Sequence, residues 1–230
     1  MADLTILKVR DNIGDDMRFA DLDPTLPKPP FRFLINAPSG SGKTNMIQNL
    51  LFNDNFYRGM FDRIIYLSPT VYEDRTLQHM RLMAEDSRNN LIISDQVDRL
   101  GDLIQNLIES QMGGTDHVLL VLDDCIGLIP KGSPINTFIM KARHYRISII
   151  MVTQYYRGID PKIRENSNAY IFYANANLTE VRKIEDEIGN NFKDFKKYYE
   201  IATEQPYNFL FVHGHKLYHN FTDLIYVKGS

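Results

Sequence analysis

The chain has a single cysteine, Cys125, among its 230 residues. One thiol excludes an intrachain disulfide and suits a reducing compartment. No apolar run approaches the roughly 18 residues that a membrane-crossing helix needs, so no transmembrane segment and no membrane partner are expected. The opening stretch MADLTILKVRDNIGDD lacks a basic segment followed by an apolar one, so no secretory signal is expected either. Charge of one sign is also scarce, with a formal net charge of −3. That balance argues neither for nor against nucleic acid, because basic residues can be confined to one lining while the outer face stays acidic. With 43% hydrophobic and 24% charged residues the composition is that of an ordinary globular domain, expected to be soluble and intracellular.

Residues 1–30 are acidic and then Pro-rich, ending DPTLPKPP. Prolines at 24, 27, 29 and 30 disfavour a helix and favour an extended arm leading into the core. From Phe31 onward, short apolar runs alternate with helical periodicity. FRFLIN (31–36), RIIYLS (63–68), HVLLVLDD (117–124), ISIIMVTQ (147–154) and AYIFYA (169–174) read as buried strands, with LIIS (91–94) as a further candidate. KTNMIQNLLFN, 73–88, 97–110 and 178–200 read as helices, the last with apolar positions at 181, 184, 188, 192 and 195. Strands that are continuously apolar and separated by helices imply an α/β core, its mainly parallel sheet flanked by helices. The segment YNFLFVHGHKLYHNFTDLIYV predicts a C-terminal β-hairpin turning at Gly214. The expected organisation is an arm over 1–30, a core over 31–205 and a hairpin over 206–230 that belongs to the same domain. Strand order does not follow from this pattern.

APSGSGKT, residues 37–44, lies between a buried strand and the start of a helix. It fits the phosphate-loop pattern G-x-x-x-x-G-K-[ST], with Ala37 in place of the first glycine. Gly40 and Gly42 let the backbone curl so that its N–H groups face phosphate oxygens. Lys43 would reach the β- and γ-phosphates and Thr44 would ligate Mg²⁺, while the following helix adds its N-terminal partial charge. Pro38, Ser39, Gly40, Ser41, Gly42, Lys43, Thr44 and Asn45 are the candidate nucleotide-binding set. A guanine-reading N/T-K-x-D motif does not follow the loop, which disfavours a GTPase. A P-loop kinase remains open.

Asp123 and Asp124 end the run VLLVLDD. An acid at a strand's carboxyl end lies beside the phosphate loop in an open α/β sheet, so Asp123 is the expected Mg²⁺-side acid, acting directly or through water. Asp124 would point elsewhere and orient or deprotonate the attacking water. The strand RIIYLS inserted between loop and acids, and the second acid itself, resemble the additional-strand, catalytic-acid class of P-loop ATPases, in which Glu is commoner at the second position. Gln154, just past ISIIMVTQ, is placed like a sensor of the γ-phosphate or attacking water.

APSGSGKT, IIYLSPT, VLLVLDDCIG and KARHYRISIIMVTQYYRGIDPKIREN together resemble the FtsK/HerA superfamily. Within it they are similar to the packaging ATPases of poxviruses, other large DNA viruses, virophages and Polinton-like elements, over roughly residues 31 to 212, and ATEQPYNFLFVH is similar to their C-terminal part. The resemblance implies a RecA-like core that assembles into a ring of about five or six subunits and drives double-stranded DNA into a capsid with ATP and Mg²⁺. It also implies capsid or portal-vertex partners and a location in the virion, the host cytoplasm or a virus factory. ATP would bind between subunits, with a neighbour's arginine stabilising the charge of the transferring phosphoryl group. Arg143 is the first candidate for that finger, Arg164 the second and Arg146 the third. A non-packaging DNA pump of the same superfamily is the alternative.

Lys131 in the loop IGLIPKGSPIN (126–136) either faces DNA or belongs to a connector. Tyr155, Tyr156 and Arg157 suit nucleic-acid contact or packing equally. His213, His215 and His219 lack a cysteine or carboxylate pattern that would make a zinc site.

Overall fold

A computed structural model describes residues 17–228. Its nine-stranded sheet has the order β3-β2-β4-β5-β1-β6-β7-β8-β9, with β1 Arg32–Asn36, β2 Arg63–Leu67, β3 Leu91–Ser94, β4 Val118–Asp123, β5 Ile147–Thr153, β6 Ala169–Tyr173, β7 Phe209–His213, β8 Lys216–His219 and β9 Asp223–Val227. The first six strands pair in parallel, and the last three add antiparallel. The expected hairpin about Gly214 is β7–β8. It is extended by β9 and continues the main sheet rather than standing off it.

Strands buried on both faces explain the unbroken apolar runs. In β4, Val118, Leu120 and Leu122 enter one core layer while Leu119 and Val121 enter the other, the period-2 alternation of a strand. On one face lie α3 (Leu100–Gln111), α4 (Pro134–Lys141), α5 (Pro161–Asn166), α6 (Leu178–Glu187) and α7 (Phe195–Ala202). On the other lie α1 (Lys43–Phe52) and α2 (Gln78–Glu85). Among the described residues, no helix is long and apolar enough to cross a membrane.

Three expectations are refined. The periodicity over 178–200 is one buried stripe carried by two helices: Ile184, Ile188, Phe192 and Phe195 share a core layer, but the chain breaks after Glu187. Gly189 sits at the break because a Cβ there would lie 2.8 Å from the Phe195 ring. The helix expected over 73–88 is shorter, a 3-10 turn over Arg75–Leu77 leading into α2. Of the Pro-rich arm, residues 1–16 lie outside the described residues. Phe19, Leu22 and Leu26 are buried, the Tyr57 hydroxyl donates to the Pro27 carbonyl at 2.9 Å, and the Thr25 carbonyl lies 2.8 Å from His213 Nδ1.

Candidate nucleotide site

Three parallel strands end side by side and carry the chemistry. Asn36 at the end of β1 lies beside Thr153 of β5, and Asp123 at the end of β4 lies beside Val152. The residues that follow these strands therefore emerge at one edge of the sheet, the carboxyl edge at which open α/β sheets bind ligands.

From β1 the chain enters the phosphate loop. Ala37 is fully buried and its N–H donates to the Thr153 carbonyl at 3.0 Å, which explains why a small residue suffices in place of the first glycine. Gly40 and Gly42 adopt φ of +77° and +90°, left-handed values that side chains disfavour. Gly42 is the N-cap of α1 and no side chain caps the first turn, so its N–H groups are directed at whatever anion the loop cradles. Lys43 and Thr44 open the helix, half-buried.

Lys43, Asp124 and Gln154 converge. The Lys43 ammonium pairs with the Asp124 carboxylate, and Gln154 Nε2 donates to the same carboxylate at 3.1 Å. Asp124 holds φ of +53°, a sparsely populated backbone for a non-glycine residue, while its N–H still bonds the Val152 carbonyl at 3.0 Å. The two acids have different partners, Asp124 meeting Lys43 and Gln154 while Asp123 meets Tyr66.

Asp123 is 4% exposed. Its Oδ2 accepts the hydroxyl of Tyr66 on β2, and its Oδ1 is buried without a hydrogen-bond partner. Burial pushes its carboxyl up to about 6, opposed by the Tyr66 hydrogen bond and the Lys43 charge. A buried carboxylate oxygen lacking a donor is costly unless a cation meets it. Asp123 and Thr44 thus fit the protein share of a Mg²⁺ shell. Among the described residues no cluster of three or more His, Cys, Asp or Glu could hold a metal alone, so phosphate and water would complete such a shell. Tyr66 is a site residue that sequence reasoning missed. It reads as one more apolar strand position until β2 is known to neighbour β4. Beside the acids, Cys125 is buried with Sγ 3.1 Å from the Leu67 carbonyl, and burial pushes its thiol up to about 12, so it behaves as a small core residue.

The arginines are dispersed. Arg143 is exposed in a 3-10 turn over Ala142–Tyr145, just before β5 begins, at the edge of the sheet opposite the phosphate loop. Seven residues of strand separate it from Gln154, roughly 20 Å at strand rise, beyond the reach of one side chain. Arg146, with φ of +54°, donates to the Gly114 carbonyl at 2.7 Å. Arg164 is 3% exposed and forms a two-pronged pair with Glu187, at 2.7 and 2.6 Å. It also bonds the Ile159 carbonyl and lies 5.1 Å from the centre of the Tyr156 ring. Every face of this guanidinium is committed within its own chain. The 126–136 loop is likewise tied down: Lys131 Nζ meets the Arg157 carbonyl at 3.3 Å, and Asp160 accepts from Gly132 N–H and Asn136 Nδ2.

Fold and site define a P-loop ATPase. The family described by the poxvirus A32 protein matches residues 18–193, and the chain belongs to that family. No curated protein matches it in sequence. Among solved structures it is similar to the genome packaging NTPase B204 of Sulfolobus turreted icosahedral virus 2 in complex with ATP-γS, at 17% identity and TM-score 0.61, covering 80% of this chain and 93% of that one. It is similar to B204, the DNA-packaging ATPase of Sulfolobus turreted icosahedral virus, at 15% identity and TM-score 0.59 with the same coverage. The cytoplasmic domain of the Thermomonospora curvata type VII secretion ATPase EccC aligns over 80% of this chain but 22% of its own, at 15% identity and TM-score 0.52.

Proposed function

We propose that this ATPase drives double-stranded DNA into a viral capsid, working as a ring of about five or six copies against a capsid or portal-vertex partner, in the virion or at the site of virus assembly in the host. The observation that carries the reading is the meeting of Lys43, Asp124 and Gln154 over a phosphate loop, on a fold that aligns over 80% of this chain with a viral packaging NTPase. Residues 38–45 bind ATP. Thr44 and Asp123 would hold Mg²⁺, which would neutralise phosphate charge. Lys43 bridges β- and γ-phosphates, Asp124 accepts the proton of the attacking water, and Gln154 orients it. Arg143 cannot serve its own site across the sheet, which supports a role at a neighbour's. Arg164 is better read as an internal brace than as a finger.

The test is ATP hydrolysis with and without long double-stranded DNA, alongside the mass of the assembled species. A DNA-stimulated rate in a ring-sized assembly, abolished by Lys43→Ala in a folded protein, is the expected result. A rate indifferent to DNA overturns the DNA-translocase reading. An unchanged rate in Lys43→Ala overturns the assignment of the loop.

A further inference from the structure

Strand order decides how a nucleotide must lie. The acids follow β4 and Gln154 follows β5, both on one side of β1, whereas β6 and β7 flank β1 on the other side. A triphosphate seated on the phosphate loop with its terminal phosphate at Lys43, Asp124 and Gln154 therefore carries its nucleoside toward the end of β6 and the start of β7. Tyr173 and Phe209 mark that place, paired in register.

A cavity of about 420 Å³ opens there, within the usual size of small-molecule sites. Pro38, Ser39, Gly40 and Ser41 form one wall and residues 203–208 the other. Tyr207 in that second wall is 70% exposed and holds φ of +68°, a backbone state that is strained for a bulky residue. Its ring edge rests on the phosphate loop: a Cβ added to Gly42 would lie 3.2 Å from Tyr207 Cδ1. An aromatic ring is thus held at a strained position against the loop, with most of its surface open. Core packing does not account for that. Two polar groups of the wall are engaged within the chain, Thr203 Oγ1 with the Tyr199 carbonyl at 2.8 Å and the Asn208 N–H with the Gln205 carbonyl at 3.2 Å.

We propose that Tyr207 is the base-stacking residue of the nucleotide site and that residues 203–208 form its nucleoside wall. The inference rests on the phosphate-loop assignment above. Stacking is tolerant of base identity because every base has a π-face, so the ligand class is a nucleoside triphosphate, with the ring contributing affinity rather than reading a base edge.

The chain contains no tryptophan, so Tyr207→Trp supplies a single indole reporter. ATP should change its emission, whereas inorganic tripolyphosphate, which fills the loop without a base, should not. Tyr207→Ala should weaken ATP binding roughly 5- to 150-fold, the loss typical of removing one base-stacking aromatic, and leave tripolyphosphate binding unchanged. Tyr207→Phe should bind ATP as the wild type does. Equal ATP affinity in wild type and Tyr207→Ala overturns the proposal, as does an indole emission blind to saturating ATP. Tripolyphosphate binding that survives in Lys43→Ala would instead remove the phosphate-loop assignment, and this proposal with it.

Discussion

Asp124 joins an unusual backbone to a charge, and one substitution separates the two. Its φ of +53° lies in the left-handed region, which asparagine tolerates as aspartate does. Asp124→Asn therefore keeps the turn and removes only the charge. The lost ion pair joins groups that are 16% and 30% exposed, Lys43 and Asp124 respectively. A partly solvated pair contributes about 1 kcal/mol or less, so the melting temperature should hardly move. Turnover should fall much further. A positioned general base contributes about 10²–10⁴-fold, which is about 2.7–5.4 kcal/mol of barrier at 1.36 kcal/mol per tenfold. The amide oxygen of asparagine still accepts from Gln154, so the local geometry survives and only the proton acceptor is lost. Single-turnover hydrolysis at saturating ATP–Mg²⁺, with affinity measured separately by calorimetry, reads the two effects apart. Affinity should stay within a few-fold of wild type while the hydrolysis step slows by about 10²–10⁴. Asp124→Gly is the geometric control, since glycine occupies this φ without strain, and it should be as slow. Wild-type hydrolysis in Asp124→Asn would refute the base assignment and leave the carboxylate as an anchor for Lys43 alone.

Arg164→Ala takes the two-pronged partner from the Glu187 carboxylate, itself 15% exposed, and leaves it the Lys183 ammonium at 2.9 Å. Breaking a buried pair that leaves its charge unpaired costs about 3–5 kcal/mol; with Lys183 still at Glu187, denaturant unfolding should show a loss of about 3 kcal/mol or less. Unchanged stability with abolished turnover would instead make Arg164 a finger. Arg143→Ala alone should retain nucleotide binding and lose about 10³–10⁵ in DNA-stimulated turnover. Mixed with Lys43→Ala subunits it should recover part of that activity, because some interfaces then pair a working site with a working arginine. A co-assembled mixture that stays inactive would place the action of Arg143 outside the neighbour's site.

The chemistry of the loop was legible because it is local. Eight consecutive residues between a strand and a helix form a tight loop, with Gly40 and Gly42 at left-handed φ, and their residue types match the phosphate-loop pattern. The acid pair was legible for a related reason, since charges ending an apolar run can only sit at a strand's edge. Other elements carried weaker signals. β9 and the short helices α4 and α5 offer too few residues to establish a period. The break at Gly189 hides inside an apolar stripe that continues across it, because both helices face the same core.

Sequence by itself determined the parts whose physics is settled within a few residues: strands buried on both faces, the phosphate loop and the two acids beside it. Tertiary structure decided which strands are neighbours, and the remaining assignments follow from that. Parallel strands are joined by long crossovers whose ends carry no record of the partner strand, and uniformly apolar strands give no register signal of their own. So only the fold brings Tyr66 to Asp123, commits Arg164 to Glu187 and sets Arg143 at the far edge from its own site. The same sheet order carries Tyr207, distant in the chain, onto Gly42 at the mouth of the loop.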